Sequence, residues 1–195
     1  MTGFQMVFLV YGLHALFWSP FIIRRQMDSR SGGVKIVLEA HQGKGASTVV
    51  LLHGVGISVS YIGIAIGLFG GVLWPLPMAV RLLGVPIVLV TTWMIVLVMR
   101  VFRSWRLKAA LSRDHQLCTD GPFRIVRHPI YTGILLLAVA SFLLVPNAFT
   151  AVGIVTTFVA GDLRASTEES LLRRAFGDRY AAYSAKKKRF IPFVY

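Results

Sequence analysis

The chain has 195 residues, 55% of them apolar and 15% charged, with a net charge of +13 and a mean hydropathy of +0.67. A soluble domain carries about 45–50% apolar and about 25% charged residues, so this composition excludes an ordinary soluble globule and points to a membrane protein. The basic balance then points to the anionic headgroups of a membrane and away from nucleic acid.

A single cysteine, Cys118, leaves no internal disulfide to form. The opening "MTGFQMVFLVYGLHALFWSPFII" has no basic n-region and no small-residue cleavage site. It reads as a first span over roughly residues 3–23, not as a signal peptide. A helix needs about 20 apolar residues to cross about 30 Å of hydrocarbon. After a polar loop, a second span runs over roughly 48–70 and is rich in Gly and Ser, small residues that let helix backbones approach closely. "GVLWPLP" is a turn with tryptophan at an interface. A third span covers roughly 79–102, followed by a basic stretch over 103–130. Two shorter apolar runs, 131–145 and 148–163, meet at Pro146 and Asn147, a turn signal that predicts a tight helical hairpin.

The tail opens on "STEES", where Ser166 and Glu169 have capping-box spacing and predict a new helix start. Gly177 predicts its C-cap, and "DRYAAYSAKKK" predicts a short amphipathic helix of the kind that lies in a membrane interface. Basic residues number five in the 24–47 loop, seven over 100–130 and eight in the tail, whereas the turns at 71–78 and 146–147 carry none. By the positive-inside rule the N-terminus faces out and the tail lies in the cytoplasm. The expected fold is therefore an all-α integral membrane protein of five transmembrane helices, with a C-terminal hairpin and cytoplasmic amphipathic helices. Residues 1–102 form a three-span unit with a basic loop; residues 103–195 form the loop, hairpin and tail in which chemistry would reside.

Several motifs fall away. "LLHGVG" at 51–56 looks like a hydrolase oxyanion segment, but the chain has no G-x-S-x-G elbow. No G-x-G-x-x-G follows a strand. The five histidines (His14, His41, His53, His115, His128) show no metal-ligand spacing, so no metal is expected. What remains converges on the basic side. "RHPIY" (127–131) combines headgroup anchoring by Arg127, a helix start at Pro129, and two residues, His128 and Tyr131, that anchoring does not explain. In "DLRASTEES", Arg164 and Glu168 share a helix face, and charges at a membrane helix end are functional candidates by default. "SRDHQLCTDGPF" is a polar loop with His115 and Gln116.

Together, "DGPFRIVRHPIYTG", a hairpin turning at "PN", "R-x-x-x-E-E-x-x-L" and "FGDRYAAYSAKKKRFIP" resemble the isoprenylcysteine carboxyl methyltransferase family over about residues 105–195. The N-terminal spans match that family in character alone, and the length is similar to that of its short prokaryotic members. The resemblance implies a prokaryotic cytoplasmic-membrane enzyme using S-adenosylmethionine, with a lipophilic acceptor such as a prenylated cysteine entering from the bilayer. It leaves the oligomeric state open, with a monomer sufficient. Carried over, His115, Gln116 and Leu117 lie along the cofactor, His128 and Tyr131 contact it from the hairpin mouth, Asn147 touches it from the hairpin turn, and Glu169 supports the site. Arg164 and Glu168 match the family's charged pair near the reacting groups. On this reading Arg164 orients the acceptor carboxylate and Glu168 fixes Arg164. The ending "RFIPFVY" is also similar to the sterol reductase family, whose members bind a nicotinamide cofactor and carry more spans. Phospholipid and small-thiol methyltransferases with a similar hairpin are further neighbours.

Overall fold

A computed structural model of the chain describes residues 2–30, 46–102 and 117–195. The helices are α1 (Gly3–Arg30), α2 (Ala46–Phe69), α3 (Met78–Leu82), α4 (Gly84–Val101), α5 (Pro129–Leu144), α6 (Ala148–Phe176) and α7 (Asp178–Lys186), with a 3-10 turn at Gly121–Arg124. Among the described residues there is no β-strand, only a single bridge between Val126 and Lys188. Among the described residues, four segments are long and apolar enough to cross a membrane: Gly3–Asp28, Leu51–Phe69, Met78–Val101 and Ala148–Phe176. The fifth expected span, α5, is apolar but has only 16 residues, or about 24 Å of helix against about 30 Å of hydrocarbon. Arg81 finishes its C-terminus, donating from Nε and Nη2 to the Leu144 carbonyl at 3.0 and 2.8 Å. That carbonyl is one of those a helix end leaves without a partner.

The third span stands at Met78–Val101, with a turn at Leu83 between α3 and α4. Pro86 has no N–H, and its ring would crowd the carbonyl of Leu82 in a continuous helix, so the helix restarts at Gly84. One expectation is corrected: no new helix begins at Ser166, because α6 runs unbroken for 29 residues. No proline interrupts it, and residues 162–176 are mostly good helix formers. Its capping box lies at the hairpin turn, where the Asn147 side chain accepts from Thr150 N and Thr150 Oγ1 accepts from Asn147 N, both at 3.1 Å. Gly177, with φ of +49°, ends α6 where the sequence places a C-cap.

Small residues set the packing. Along the antiparallel α2/α6 seam, Gly63 faces Thr150, Gly153 faces Ser60 and Gly56 faces Thr157. A methyl group added at Gly63 would sit 2.7 Å from the Thr150 backbone nitrogen, and one at Gly153 would sit 2.2 Å from Ser60 Oγ. Gly84 against Leu144 and Gly133 against Ile95 join α4 to α5 in the same way. The stripe Met6, Val10, Leu13, Phe17 and Phe21 turns α1 inward, while Phe8, Leu51, Val90, Trp93 and Val155 are exposed on the periphery. Such an apolar rim suits contact with lipid. A buried polar knot ties α1, α2 and α5: Tyr61 Oη accepts from Trp18 Nε1 at 2.7 Å and lies 2.9 Å from His14 Nδ1, and His14 Nε2 lies 3.2 Å from Ser141 Oγ.

Candidate active site at the hairpin mouth

The hairpin returns the middle of its second helix, residues 161–169, to the level where its first helix begins. Pro129 occupies the first turn of α5, where a missing N–H costs nothing, and His128 precedes it as the N-cap. The C-terminal segment then clasps this entry. Arg127 N donates to Lys188 O at 2.8 Å, His128 N to Arg189 O at 3.1 Å, and Thr132 Oγ1 to Phe190 O at 3.0 Å. Tyr183 Oη donates to the Phe123 carbonyl at 2.8 Å, fixing α7 on the 3-10 turn.

Onto this scaffold α6 projects three carboxylates. Glu169, 2% exposed, is the hub. It receives Arg189 Nε and Nη2 at 3.1 and 3.0 Å and Arg127 Nη2 at 3.1 Å, stands 3.1 Å from His128 Nε2, and has the more exposed Arg173 at 3.6 Å. Asp162 accepts a short bond from Arg189 Nη1 and another from Tyr195 Oη at 2.7 Å. The bonds from Glu169, with those from Asp162, hold the Arg189 guanidinium above its usual pKa. Glu168 accepts a short bond from Tyr131 Oη and lies 3.5 Å from Arg164 Nε and 3.7 Å from His128 Nδ1. Tyr131 gathers the rest: the Arg164 Cζ lies over its ring at 5.4 Å, His128 stacks on it at 5.6 Å, and Phe190 meets it edge-on at 6.3 Å. Cations of this kind over a phenol ring gain from its quadrupole.

The structure therefore brings together Arg164, Glu168, Glu169, His128 and Tyr131. It does not bring Asn147 to them. That residue is fully buried at the opposite end of the hairpin, one α5 length away. It is spent on the α6 cap and on bonds from Nδ2 to the carbonyls of Gly63 and Val145 at 2.8 and 3.1 Å. Leu117 is half-buried just before the 3-10 turn, and His115 and Gln116 lie outside the described residues. Arg127, assigned by sequence to the headgroups, is instead a partner of Glu169, whereas Arg124 is an exposed residue paired with Asp120 at 2.9 Å.

Sequence reasoning missed Arg189 and Tyr195. Arg189 closes a run of basic residues that reads as a solvated patch; its signal is the apolar "FIPFVY" directly after it, which folds back on the hairpin. The arrangement can hold a carboxylate-bearing ligand at Arg164 and leaves the Glu168 side chain, 26% exposed, able to meet a second cation. Among the described residues no group of His, Cys, Asp and Glu has the geometry to hold a metal ion.

Residues 82–174 match the family model of the isoprenylcysteine carboxyl methyltransferase (ICMT) family. Protein-S-isoprenylcysteine O-methyltransferase B of Arabidopsis thaliana is 32% identical over 91 residues, 45% of this chain and 45% of that protein. The protein-S-isoprenylcysteine O-methyltransferase of Schizosaccharomyces pombe is 34% identical over 84 residues, 43% of this chain and 36% of the relative. A probable protein-S-isoprenylcysteine O-methyltransferase of Oryza sativa subsp. indica is 33% identical over 82 residues, 42% of this chain and 43% of the relative. The alignments span less than half the length of these relatives. The matched segment holds α4, α5 and nearly all of α6, with His128, Tyr131, Arg164, Glu168 and Glu169 of the cluster but not Arg189, Phe190 or Tyr195; over residues 82–174 the chain is similar to the isoprenylcysteine carboxyl methyltransferase family.

Proposed function

We propose that this multi-pass membrane protein is a methyltransferase that uses S-adenosylmethionine and methylates the carboxylate of a prenylated cysteine or a similarly lipophilic acceptor. The observation that carries the reading is Arg164. Its side chain is 14% exposed, braced by Glu168 and laid on Tyr131, at the mouth of an apolar hairpin within the family-matched segment. A guanidinium so placed presents a planar fork to a carboxylate, and the apolar helix walls beside it suit an attached hydrocarbon chain.

The residues divide the work. Arg164 orients the acceptor carboxylate, and Glu168 with Tyr131 fixes Arg164. His128, Tyr131 and the exposed part of Glu168 border the cofactor, joined by Leu117, His115 and Gln116 from the loop. Glu169 holds His128, Arg127 and Arg189 in register. The described side chains fit the cofactor's charges, since Glu168 can meet its ammonium and the basic residues its carboxylate. When bound, S-adenosylmethionine supplies an electrophilic methyl group. The acceptor carboxylate is already ionised near neutral pH, so no side chain has to remove a proton. The protein's contribution is alignment and exclusion of water. The basic 100–130 segment and the tail support a mouth that opens to the cytoplasm, by the positive-inside rule.

The test is binding followed by turnover in detergent-solubilised protein. S-adenosylhomocysteine should raise the thermal midpoint, and labelled methyl should pass to farnesylcysteine in preference to phosphatidylethanolamine or small thiols. Stabilisation by a nicotinamide nucleotide alone would overturn the assignment.

A further inference from the structure

His53 is unused by the site described above. It is 4% exposed, and neither ring nitrogen has a hydrogen-bond partner among the described residues. A buried imidazole with both nitrogens unmet is an unfavourable arrangement that a folded protein normally avoids. Its place in the fold suggests what meets it.

The α2/α6 seam pairs Gly67 with Asn147, Gly63 with Thr150, Ser60 with Gly153 and Gly56 with Thr157. In these four pairs a glycine Cβ would come within 2.2–3.0 Å of the opposite helix. One turn further, His53 faces Gly161 and the seam opens. A Cβ at Gly161 would meet His53 Cε1 at 3.9 Å, Tyr131 Cβ at 3.9 Å and Phe190 Cζ at 4.0 Å, all ordinary contacts. The next turn of α6 beyond Gly161 carries Arg164. The His53 ring also stands 5.6 Å from the Tyr131 ring, the same ring that Arg164 covers at 5.4 Å. An unpaired polar group, a gap in an otherwise tight seam and the arginine of the site thus share one end of the bundle.

We propose that His53 and Gly161 form the head of the acceptor slot, with His53 donating an N–H to the acceptor carboxylate oxygen that does not receive the methyl group. This rests on the methyltransferase reading above. Arg164 and His53 approach the carboxylate from α6 and α2, and Gly161 keeps open the space between them. The hydrocarbon chain of the acceptor then lies toward the bilayer, where the exposed residues of α2 and α6, such as Leu52 and Val159, are apolar. His53 is a specificity-determining residue here: it rewards a carboxylate at the end of a lipophilic chain and has no part in holding the methyl donor.

The experiment uses the full chain in detergent, with N-acetyl-S-farnesylcysteine as acceptor, comparing wild type, His53→Ala and His53→Gln. One hydrogen bond to a charged group corresponds to a loss of about tenfold or more. His53→Ala should raise the acceptor KM by about that factor with a smaller change in kcat, and should leave stabilisation by S-adenosylhomocysteine unchanged. His53→Gln, which keeps an N–H donor, should recover most of the loss. An unchanged acceptor KM in His53→Ala overturns the proposal, as does equal loss of acceptor and S-adenosylhomocysteine binding, which marks a merely structural role. If wild type transfers no methyl group, the thermal shift produced by the acceptor decides. A shift that His53→Ala abolishes supports the slot while refuting methyl transfer, and no shift in wild type refutes both.

Discussion

Glu169→Gln removes the carboxylate that Arg127, Arg189, Arg173 and His128 all face, while keeping its shape. Arg173 is largely exposed, so its loss counts for under about 1 kcal/mol. Arg189 and Arg127 are mostly buried at 3.0–3.1 Å from the carboxylate. Breaking a buried pair at one partner costs about 3–5 kcal/mol, because the remaining charge is left without compensation. Asp162 still holds Arg189, which places the expectation at about 3 kcal/mol. For a chain of 195 residues that is a fall in thermal midpoint on the order of 10 °C. Thermal denaturation of the two proteins in one detergent measures it. Combining Glu169→Gln with Arg189→Gln should cost less than the sum of the single changes, since the second substitution removes the stranded cation. A shift below about 1 kcal/mol, or strict additivity, would refute the view of Glu169 as an electrostatic hub.

Gly153→Ala and Gly63→Ala should each destabilise by about 1–3 kcal/mol through overpacking, whereas Gly161→Ala, whose Cβ meets atoms no nearer than 3.9 Å, should change stability by under about 1 kcal/mol; detergent melting curves compare all three. Asn147→Ala should cost about 1–2 kcal/mol by loss of the α6 cap and leave the affinity for S-adenosylhomocysteine as in wild type, measured by titration calorimetry. Tyr131→Phe deletes the hydroxyl that donates to Glu168 and keeps the ring under Arg164; methyl transfer should fall about tenfold or more with little change in midpoint.

Length and hydropathy made the helices legible, because spans of this size are written directly in apolar runs. The boundaries were less legible where two local signals compete. Ser166 and Glu169 have capping-box spacing, yet the backbone ladder of α6 continues through them and Glu169 is used to bind guanidiniums. Pro86 lies inside the apolar run of the third span, where it forces the restart at Gly84. At the site, Arg164 and Glu168 were legible as an i, i+4 pair, and His128 and Tyr131 as residues that anchoring leaves unexplained. Arg189, Tyr195 and His53 were not. Each reaches the cluster through contacts distant in sequence, Arg189 by the clasp of the C-terminal segment on residues 126–128 and His53 by the α2/α6 register. Asn147 shows the converse: a polar residue in a hairpin turn reads equally as ligand or cap, and its bonds to Gly63, Val145 and Thr150 place it as a cap.

The central claim is that Arg164 orients the acceptor carboxylate for methyl transfer. The most direct measurement is transfer of labelled methyl from S-adenosylmethionine to N-acetyl-S-farnesylcysteine by wild type and Arg164→Ala, with S-adenosylhomocysteine stabilisation recorded on both. The account predicts turnover by wild type and its loss in a variant that remains folded and stabilised by the nucleoside; wild-type turnover by Arg164→Ala would contradict it.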